Sequence, residues 1–409
     1  NKMTLKEIDV KTFENYAKKS PYRTFMQTEE IGKLRELNGW SSYYLGLYDN
    51  DKLVGATLLV GKKRHFNKYE FYTPRGPLVD YNDEKTLAEF LKQLTAFVKK
   101  HQGYVLRIDP YVINKERNGK GEVVEGGVNN TKIVDEIKSL GFKLLPLENR
   151  EQVSWMYVLD IKDKTEEEVL KNMKPNTRNT IRKTLKNGIE IIGLEKKDLK
   201  EFYKIMEETG KRKGFAIRNL KYFEKMYDLF KPKDEIKYLI TKLDLDKHLE
   251  LLNKEKKEKS EELSKLSDAK YNDGKRKSIN EAINGINKRI KEAESIKKEH
   301  GNVITLSGSM FIMTDPEIIY LSSGNYEEFM MYNSQYLIQW EMIKYAIEHN
   351  FARYNFYGIP NTFDKNDKDY GIYEFKTGFN GFVEELIGEF EIKTSPVYYL
   401  IKLIHKIRH

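Results

Sequence analysis

The chain has no cysteine. That absence excludes a disulfide framework, a thiolate nucleophile and any Cys-ligated metal centre. Histidine is scarce: the seven residues are scattered and none forms an HExxH pattern, so no metal is assigned. No run of about 18 apolar residues and no secretory leader is visible, and a cytoplasmic protein is the expectation. Proline is rare, 10 residues in all, and absent between 244 and 300. What is abundant is charge: 72 Lys and Arg against 63 Asp and Glu, a net of +9. A basic chain is drawn to polyanions such as nucleic acid, an anionic membrane or phosphate-bearing substrates. The 27 tyrosines suit stacking surfaces as well as cores. At 409 residues the chain exceeds the ~250–300 at which one core stops growing, so two domains are expected.

Strand-like and helix-like patterns alternate, which predicts an α/β (α+β) fold. Residues 42–47 and 53–60 read as strands joined by the turn Asp49-Asn50-Asp51-Lys52. The spacing of Leu87, Phe90, Leu91, Leu94 and Phe97 predicts a helix over 85–101. A strand over 104–108 ends at Asp109-Pro110. A second alternation starts with a strand at 155–159 and helices at 165–172, 199–210 and 220–231, then a strand at 236–242. It resumes after 302 with strands at 303–314 and 317–322, a helix at 335–349, a strand at 354–357 and strands within 382–390. The expected domains are 1–155 and 156–409.

Residues 244–300 interrupt the second domain. Leu245, Leu249, Leu252, Lys256, Lys259, Leu263 and Leu266 are spaced alternately four and three apart, a heptad seam. Asn272-Asp273-Gly274 supplies a turn, and Ile279, Ile283, Ile286, Ile290 and Ala293 form a returning seam. An antiparallel coiled-coil helical hairpin is the expected structure. It carries 15 cations and 13 acids, so most of the excess charge lies elsewhere. Residues 171–188, KNMKPNTRNTIRKTLKNG, hold six Lys or Arg and no acid. Arg178, Arg182 and Lys186 are four apart and make one stripe of a helix, with Lys183 beside it. A phosphate backbone suits such a stripe, and so does plain solvation. After Ser395-Pro396 a last helix places Val397, Leu400, Ile401, Ile404 and Ile407 on one side, a pattern that fits docking on a domain or peripheral contact with the inner face of a membrane.

Several short motifs occur in order: Tyr72-Thr73-Pro74-Arg75-Gly76-Pro77-Leu78-Val79-Asp80-Tyr81, Arg107-Ile108-Asp109-Pro110-Tyr111, Arg178-Asn179-Thr180-Ile181-Arg182-Lys183 and Tyr320-Leu321-Ser322-Ser323-Gly324. Arg353 to Gly358, Phe375 to Asn380 and Glu385 to Phe390 follow. Each is weak alone; together, from about residue 20 to 398, they resemble the Fem (FemABX) aminoacyltransferases, which build peptide crossbridges in the cell wall. The resemblance implies two acetyltransferase-like (GNAT-type) domains with the hairpin protruding from the second. It implies transfer of glycine, alanine or serine from aminoacyl-tRNA to the peptide amine of a lipid-linked or nucleotide-linked muramyl pentapeptide. No further cofactor is implied. No Q/R-x-x-G-x-G/A loop for coenzyme A is evident, which weakens a CoA-dependent acetyltransferase.

By the same resemblance Asp109 and Lys376 are the catalytic candidates. Asp109 would hold the acceptor ammonium or take its proton, although a carboxylate before proline also caps turns. Lys376 would stabilise the oxyanion or the tRNA end. Lys33, Arg218 and Tyr222 match residues that hold precursor phosphates, with Arg35 a rival to Lys33, and Arg218 and Tyr222 would share a helix face. Tyr104, Tyr320 and Phe375 complete the precursor site, and Arg178, Arg182, Lys183 and Lys186 the tRNA site. Two rival readings are a non-catalytic RNA-binding protein and a structural coiled-coil adaptor.

Overall fold

The computed structural model describes residues 2–408, which form two eight-stranded sheets. In the first, the order is Met3–Glu7, Ser41–Asp49, Lys52–Lys63, Tyr69–Thr73, Gly103–Ile108, Phe390–Lys393 and Lys143–Leu144, with Leu78–Val79 paired to Lys52–Lys63. In the second it is Ile189–Gly193, Ile236–Asp244, Val303–Thr314, Glu317–Asn325, Arg353–Gly358, Trp155–Asp160, Phe382–Leu386 and Ile113–Glu116. One plan is used twice. Pairing is antiparallel except for Tyr69–Thr73 beside Gly103–Ile108 and Glu317–Asn325 beside Arg353–Gly358. A parallel pair needs a crossover, and here the helices Glu84–Lys100 and Ser334–Glu348 supply it.

Local chemistry explains these elements. Asp49 pairs with Lys52, and Asn50 between them takes the left-handed conformation that Asn tolerates (φ 55°). The helix Glu84–Lys100 is capped by Asp83, whose carboxylate accepts from Thr86 N. It buries Leu87, Phe90, Leu91 and Leu94 as the spacing predicts. On its last turn Val98 takes the buried place expected for Phe97, which stacks half-buried on His101.

The two sheets exchange strands. Ile113–Glu116 completes the second sheet beside Phe382–Leu386, and Phe390–Lys393 inserts between Gly103–Ile108 and Lys143–Leu144 of the first. Gly388, at φ 106°, sits in the short link that lets the chain leave one sheet for the other. The boundary expected at 155/156 is therefore crossed in both directions. Strand patterning reports that a segment is extended, not which sheet it joins. One apolar cluster also runs through both halves, from Phe13, Leu58 and Tyr72 to Phe202, Ile240 and Met310.

The helices Leu245–Ser264 and Asp273–His300 run antiparallel, with Glu255 paired to Arg289 and Asp246 to Lys297. Leu245, Leu252, Ile279, Ile286 and Ala293 are buried, and Lys256 and Lys259 are half-buried at the expected inward positions. Leu245 and Ala293 join a cluster with Leu243, Ile304 and Phe329 that roots the pair in the second half. The last described helix, Val397–Arg408, docks Tyr398 and Ile401 on Tyr104 and Val105.

Candidate active site

A cleft of about 860 Å³ opens between the halves. The first half contributes the helix Glu29–Leu37, which Thr28 caps by accepting from Ile31 N. Its Arg35 faces the cleft beside Trp40, Lys62 and Pro74. The second contributes Arg218, Lys221, Tyr222 and Lys225, with Leu321, Ser322 and Tyr357 as the far wall. Five cations line this space against one carboxylate, Glu151. Asn38 gathers two of them, accepting from Lys62 Nζ through its carbonyl (3.5 Å) and from Lys225 Nζ through its side chain (3.4 Å). Such a cleft concentrates anionic ligands.

Glu151 is held by four contacts, one of them from the Gln152 side-chain amide, which donates to it at 3.4 Å. Arg35 donates to it at 2.7 Å, Arg107 lies at 3.8 Å, and its backbone N–H donates to buried Glu389 at 2.9 Å. Burial opposes its charge, but the Arg35 and Arg107 guanidinium groups keep its carboxyl below the usual range. Glu389, also bonded by Arg107 at 3.0 Å, is raised by burial.

Asp109 lies behind this wall. It is 3% exposed, receives the Tyr72 hydroxyl at 2.6 Å and has Arg75 at 3.7 Å. Burial is the largest influence and raises its pKa to about 7, against the pull of Arg75. Arg75 is buried as well, at φ 55°, and donates to Val153 O at 2.8 Å. It also touches Tyr357, which lines the cleft at φ 67°. A bulky residue there is strained by about 1–2 kcal/mol. That strain is held by a bulge between Asn355 and Tyr357. Asp109 thus meets the cleft through Arg75 and Tyr357, not with its own oxygens.

Lys376 sits on the other side of the same strand end. It is 8% exposed, donates to Gly358 O at 2.6 Å and faces the Tyr320 ring at 5.7 Å. Burial lowers its pKa to about 7. Gly358 and Tyr320 are chain neighbours of Tyr357 and Leu321, so one layer of backbone separates Lys376 from the cleft. Among the described residues Asp109 and Lys376 form no bond with each other; residues 357–358 connect them. Phe375 packs edge-on against Tyr336 and Phe379 beside this lysine. Tyr320 stacks on Phe311 and is a buried strand residue.

The remaining candidates separate. Tyr222 lines the cleft, and the Arg218 guanidinium lies 4.8 Å over its ring. The two do not share a helix face. Asn219 caps the helix Leu220–Phe230 by accepting from Tyr222 N, which leaves Arg218 outside it. Lys33 is solvated and paired with Glu29, and Arg35 takes the cleft position instead. Tyr104 lies under the last helix, away from the cleft lining. The basic stripe falls on the helix Pro175–Leu185, with Lys186 as its C-cap. None of the six cations of residues 171–188 pairs with a carboxylate among the described residues. This helix packs on the segment carrying Lys376: Lys174 N donates to Gly378 O at 3.0 Å and Asn380 to Asn172 O at 2.8 Å. Trp40, Lys62, Glu151, Lys221 and Lys225 were not signalled by spacing. Lys221 and Lys225 lie on the helix Leu220–Phe230 and Lys62 at the end of the strand Lys52–Lys63, and residue type alone does not tell a cation that lines a cleft from a solvated one.

The FemAB family model matches residues 8–406. Aminoacyltransferase FemA of Staphylococcus epidermidis is 31% identical over 422 residues, covering 99% of this chain and 100% of that protein. FemA of Staphylococcus aureus is 29% identical, covering 99% of each. The crystal structure of FemX superposes with a TM-score of 0.76 at 26% identity, over 98% of this chain and 100% of that one. A tandem GNAT protein from the clavulanic acid biosynthesis pathway shares the fold alone, at a TM-score of 0.51 and 7% identity. The fold is thus of the tandem acetyltransferase kind, and the chain belongs to the FemAB family.

Proposed function

We propose that the chain moves an amino acid from the 3′ end of an aminoacyl-tRNA to the amine of a muramyl peptide precursor. Membership of the family makes it an aminoacyltransferase, as its FemA relatives are named. The observation that carries the reading is the position of Lys376, between a cation-lined cleft and a basic helix free of carboxylate partners. The cleft suits the precursor: Arg218, Lys221, Lys225 and Lys62 offer donors to its phosphates. The stripe Arg178, Arg182, Lys183 and Lys186 suits the tRNA backbone.

The aminoacyl ester is already activated. The acceptor amine, with a pKa near 10, must shed a proton before it attacks. Its nitrogen bonds the carbonyl carbon, and the C–O bond to the tRNA hydroxyl breaks as that oxygen takes a proton. Holding both substrates in one frame supplies about 7–11 kcal/mol. Lys376 is the candidate for the oxyanion. Burial leaves it half-ionised near neutrality, and an anion arriving beside it favours its charged form. Asp109 is a positioning group in this reading: it fixes Arg75 and Tyr72 behind the cleft wall.

The test is a transfer assay with glycyl-, alanyl- and seryl-tRNA offered against lipid-linked and nucleotide-linked precursors, unbranched and singly branched. One donor and one acceptor should give labelled product. Folded protein that binds tRNA but yields no product with any pair would leave the RNA-binding alternative.

A further inference from the structure

Lys376 and the cleft lie on opposite sides of one backbone layer, so the two substrates assigned above must meet across it. The sheet alone does not close that layer. The Lys376 amine donates to Gly358 O at 2.6 Å, and these two residues stand at opposite ends of one loop. Residues 359–369 leave the strand Arg353–Gly358 and lead into the helix Tyr370–Thr377, which carries the lysine. A hydrogen bond from this amine to a neutral carbonyl is weaker than one to an oxyanion, so it is open to exchange.

The loop is lightly held. Ile359 is its last residue tied to the sheet, with its N–H donating to Trp155 O at 3.0 Å. From 360 to 369, the hydrogen bonds among the described residues stay within the loop and the first turn of the helix. They include Asp367 N to Asp364 O at 3.0 Å, Asn366 N to Asp364 Oδ1 at 3.0 Å and Asp369 N to Asp367 Oδ1 at 2.8 Å. Asn361, Asp364, Lys365, Asn366 and Lys368 are exposed. A segment with so few outside bonds opens at low cost. One aromatic side chain fastens it. The half-buried Phe363 covers Gly121, with its ring edge-on to Trp155 at 6.2 Å and 4.8 Å from Tyr373. Arg117 steadies this socket: it lies 4.6 Å over the Trp155 ring and donates to Gly121 O at 2.7 Å. Tyr373 stands about one turn before Lys376 on the same helix, and its hydroxyl donates to Gly119 O at 3.2 Å. Phe363 therefore joins Trp155, which holds the start of the loop, to the helix at its end.

We propose that residues 359–369 form a gate between the cleft and Lys376, with Phe363 as its latch. Phe363 is a positioning residue: it touches neither substrate and acts through Lys376. Seated, it keeps the lysine on Gly358 O and the layer shut. Released, it lets Gly358 move away while the Tyr373 tie keeps the helix in place, and the amine turns into the opened passage. Tyr357, at φ 67° beside Gly358, is the residue that relaxes on opening. The inference rests on the transfer reading, in which Lys376 serves the reaction.

The test labels amines with limiting acetic anhydride in the full chain, with no tRNA or precursor present, and reads each lysine by mass spectrometry. In the parent, buried Lys376 should be protected while exposed Lys18 reacts freely. Phe363→Ala should speed labelling of Lys376 relative to Lys18 at least about tenfold. Gly121→Ala should do the same from the other side of the socket, because a Cβ there runs into the Phe363 ring. Phe363→Leu should restore protection. Deuterium uptake should rise over residues 359–376 and not elsewhere. In the transfer assay Phe363→Ala should lower kcat roughly 10- to 100-fold, the cost of a misplaced group. KM for the precursor should stay unchanged, since residues 359–376 contribute nothing to the cleft lining. Labelling as slow in both variants as in the parent overturns the proposal. So does deuterium uptake raised throughout the chain in both, or a higher KM with kcat unaltered. Lys376 released in the variants of a chain that transfers nothing would count against the transfer reading and leave the gate standing.

Discussion

Two buried ionisable groups flank one strand end and respond to pH in opposite senses. Lys376 is lowered from 10.5 to about 7, so its cost to the fold is complete below about 7 and fades as pH rises toward 10.5. Asp109 is raised from 3.8 to about 7, so its cost grows as pH climbs between those values. The Tm of Lys376→Met minus that of the parent should therefore fall between about pH 7 and 9.5. The same difference for Asp109→Asn should rise between about pH 4 and 7. Parallel melting curves in both cases would show that neither group is buried as described. Lys376→Met should also reduce transfer on the order of 10²- to 10³-fold, the usual cost of removing an oxyanion donor. Arg218→Ala acts on binding: KM for the precursor should rise about 10- to 100-fold with kcat little changed. A fall in kcat with an unaltered KM would place Arg218 at the reacting centre instead. Residue types at these places were legible in part. Arg35 and Lys33 lie two apart on one helix, and only packing decides that Arg35 turns to the cleft while Lys33 turns to water.

At the scale of elements, the basic helix Pro175–Leu185 and the helical pair Leu245–Ser264 and Asp273–His300 carry separable predictions. Replacing Arg178, Arg182 and Lys186 by Gln removes three cations from the proposed tRNA contact. The slope of log Kd against log salt should decrease by about 2–3, read by filter binding at several salt concentrations. The helical pair is anchored at its base by Leu245, Leu252 and Ala293, whereas its outer half exposes most of its surface. Excising residues 259–285 and closing the arms with a short Gly-Ser turn should leave Tm nearly unchanged and transfer within a few-fold. Loss of transfer from such a folded protein would give the outer arms a part in substrate binding. These elements were readable as helices because their spacing is long and regular. Arg218 was not, because a cap at Asn219 begins the helix one residue too late to include it.

The exchanged strands make the whole molecule one folding unit. Phe390–Lys393 supplies backbone partners to both Gly103–Ile108 and Lys143–Leu144, and Ile113–Glu116 pairs with Phe382–Leu386 at the edge of the other sheet. An isolated segment 2–150 would lack an inner strand and leave two strand edges unpaired. It should fail to unfold cooperatively, and the full chain should show a single transition in guanidinium by fluorescence and circular dichroism together. Two separated transitions would mean that the halves are stable alone.

The sequence by itself determined the local conformations, the absence of thiol chemistry, the excess of positive charge and the repeated strand–helix plan, because each depends on residue type and short-range period. It also carried the ordered motifs by which the family was recognised. Tertiary structure alone decided which strands cross between the sheets, which of two neighbouring cations enters the cleft, and that Asp109 stands behind its wall rather than on it. Those outcomes follow from burial and from contacts between residues hundreds of positions apart, such as Arg107 with Glu389. No local pattern records such contacts.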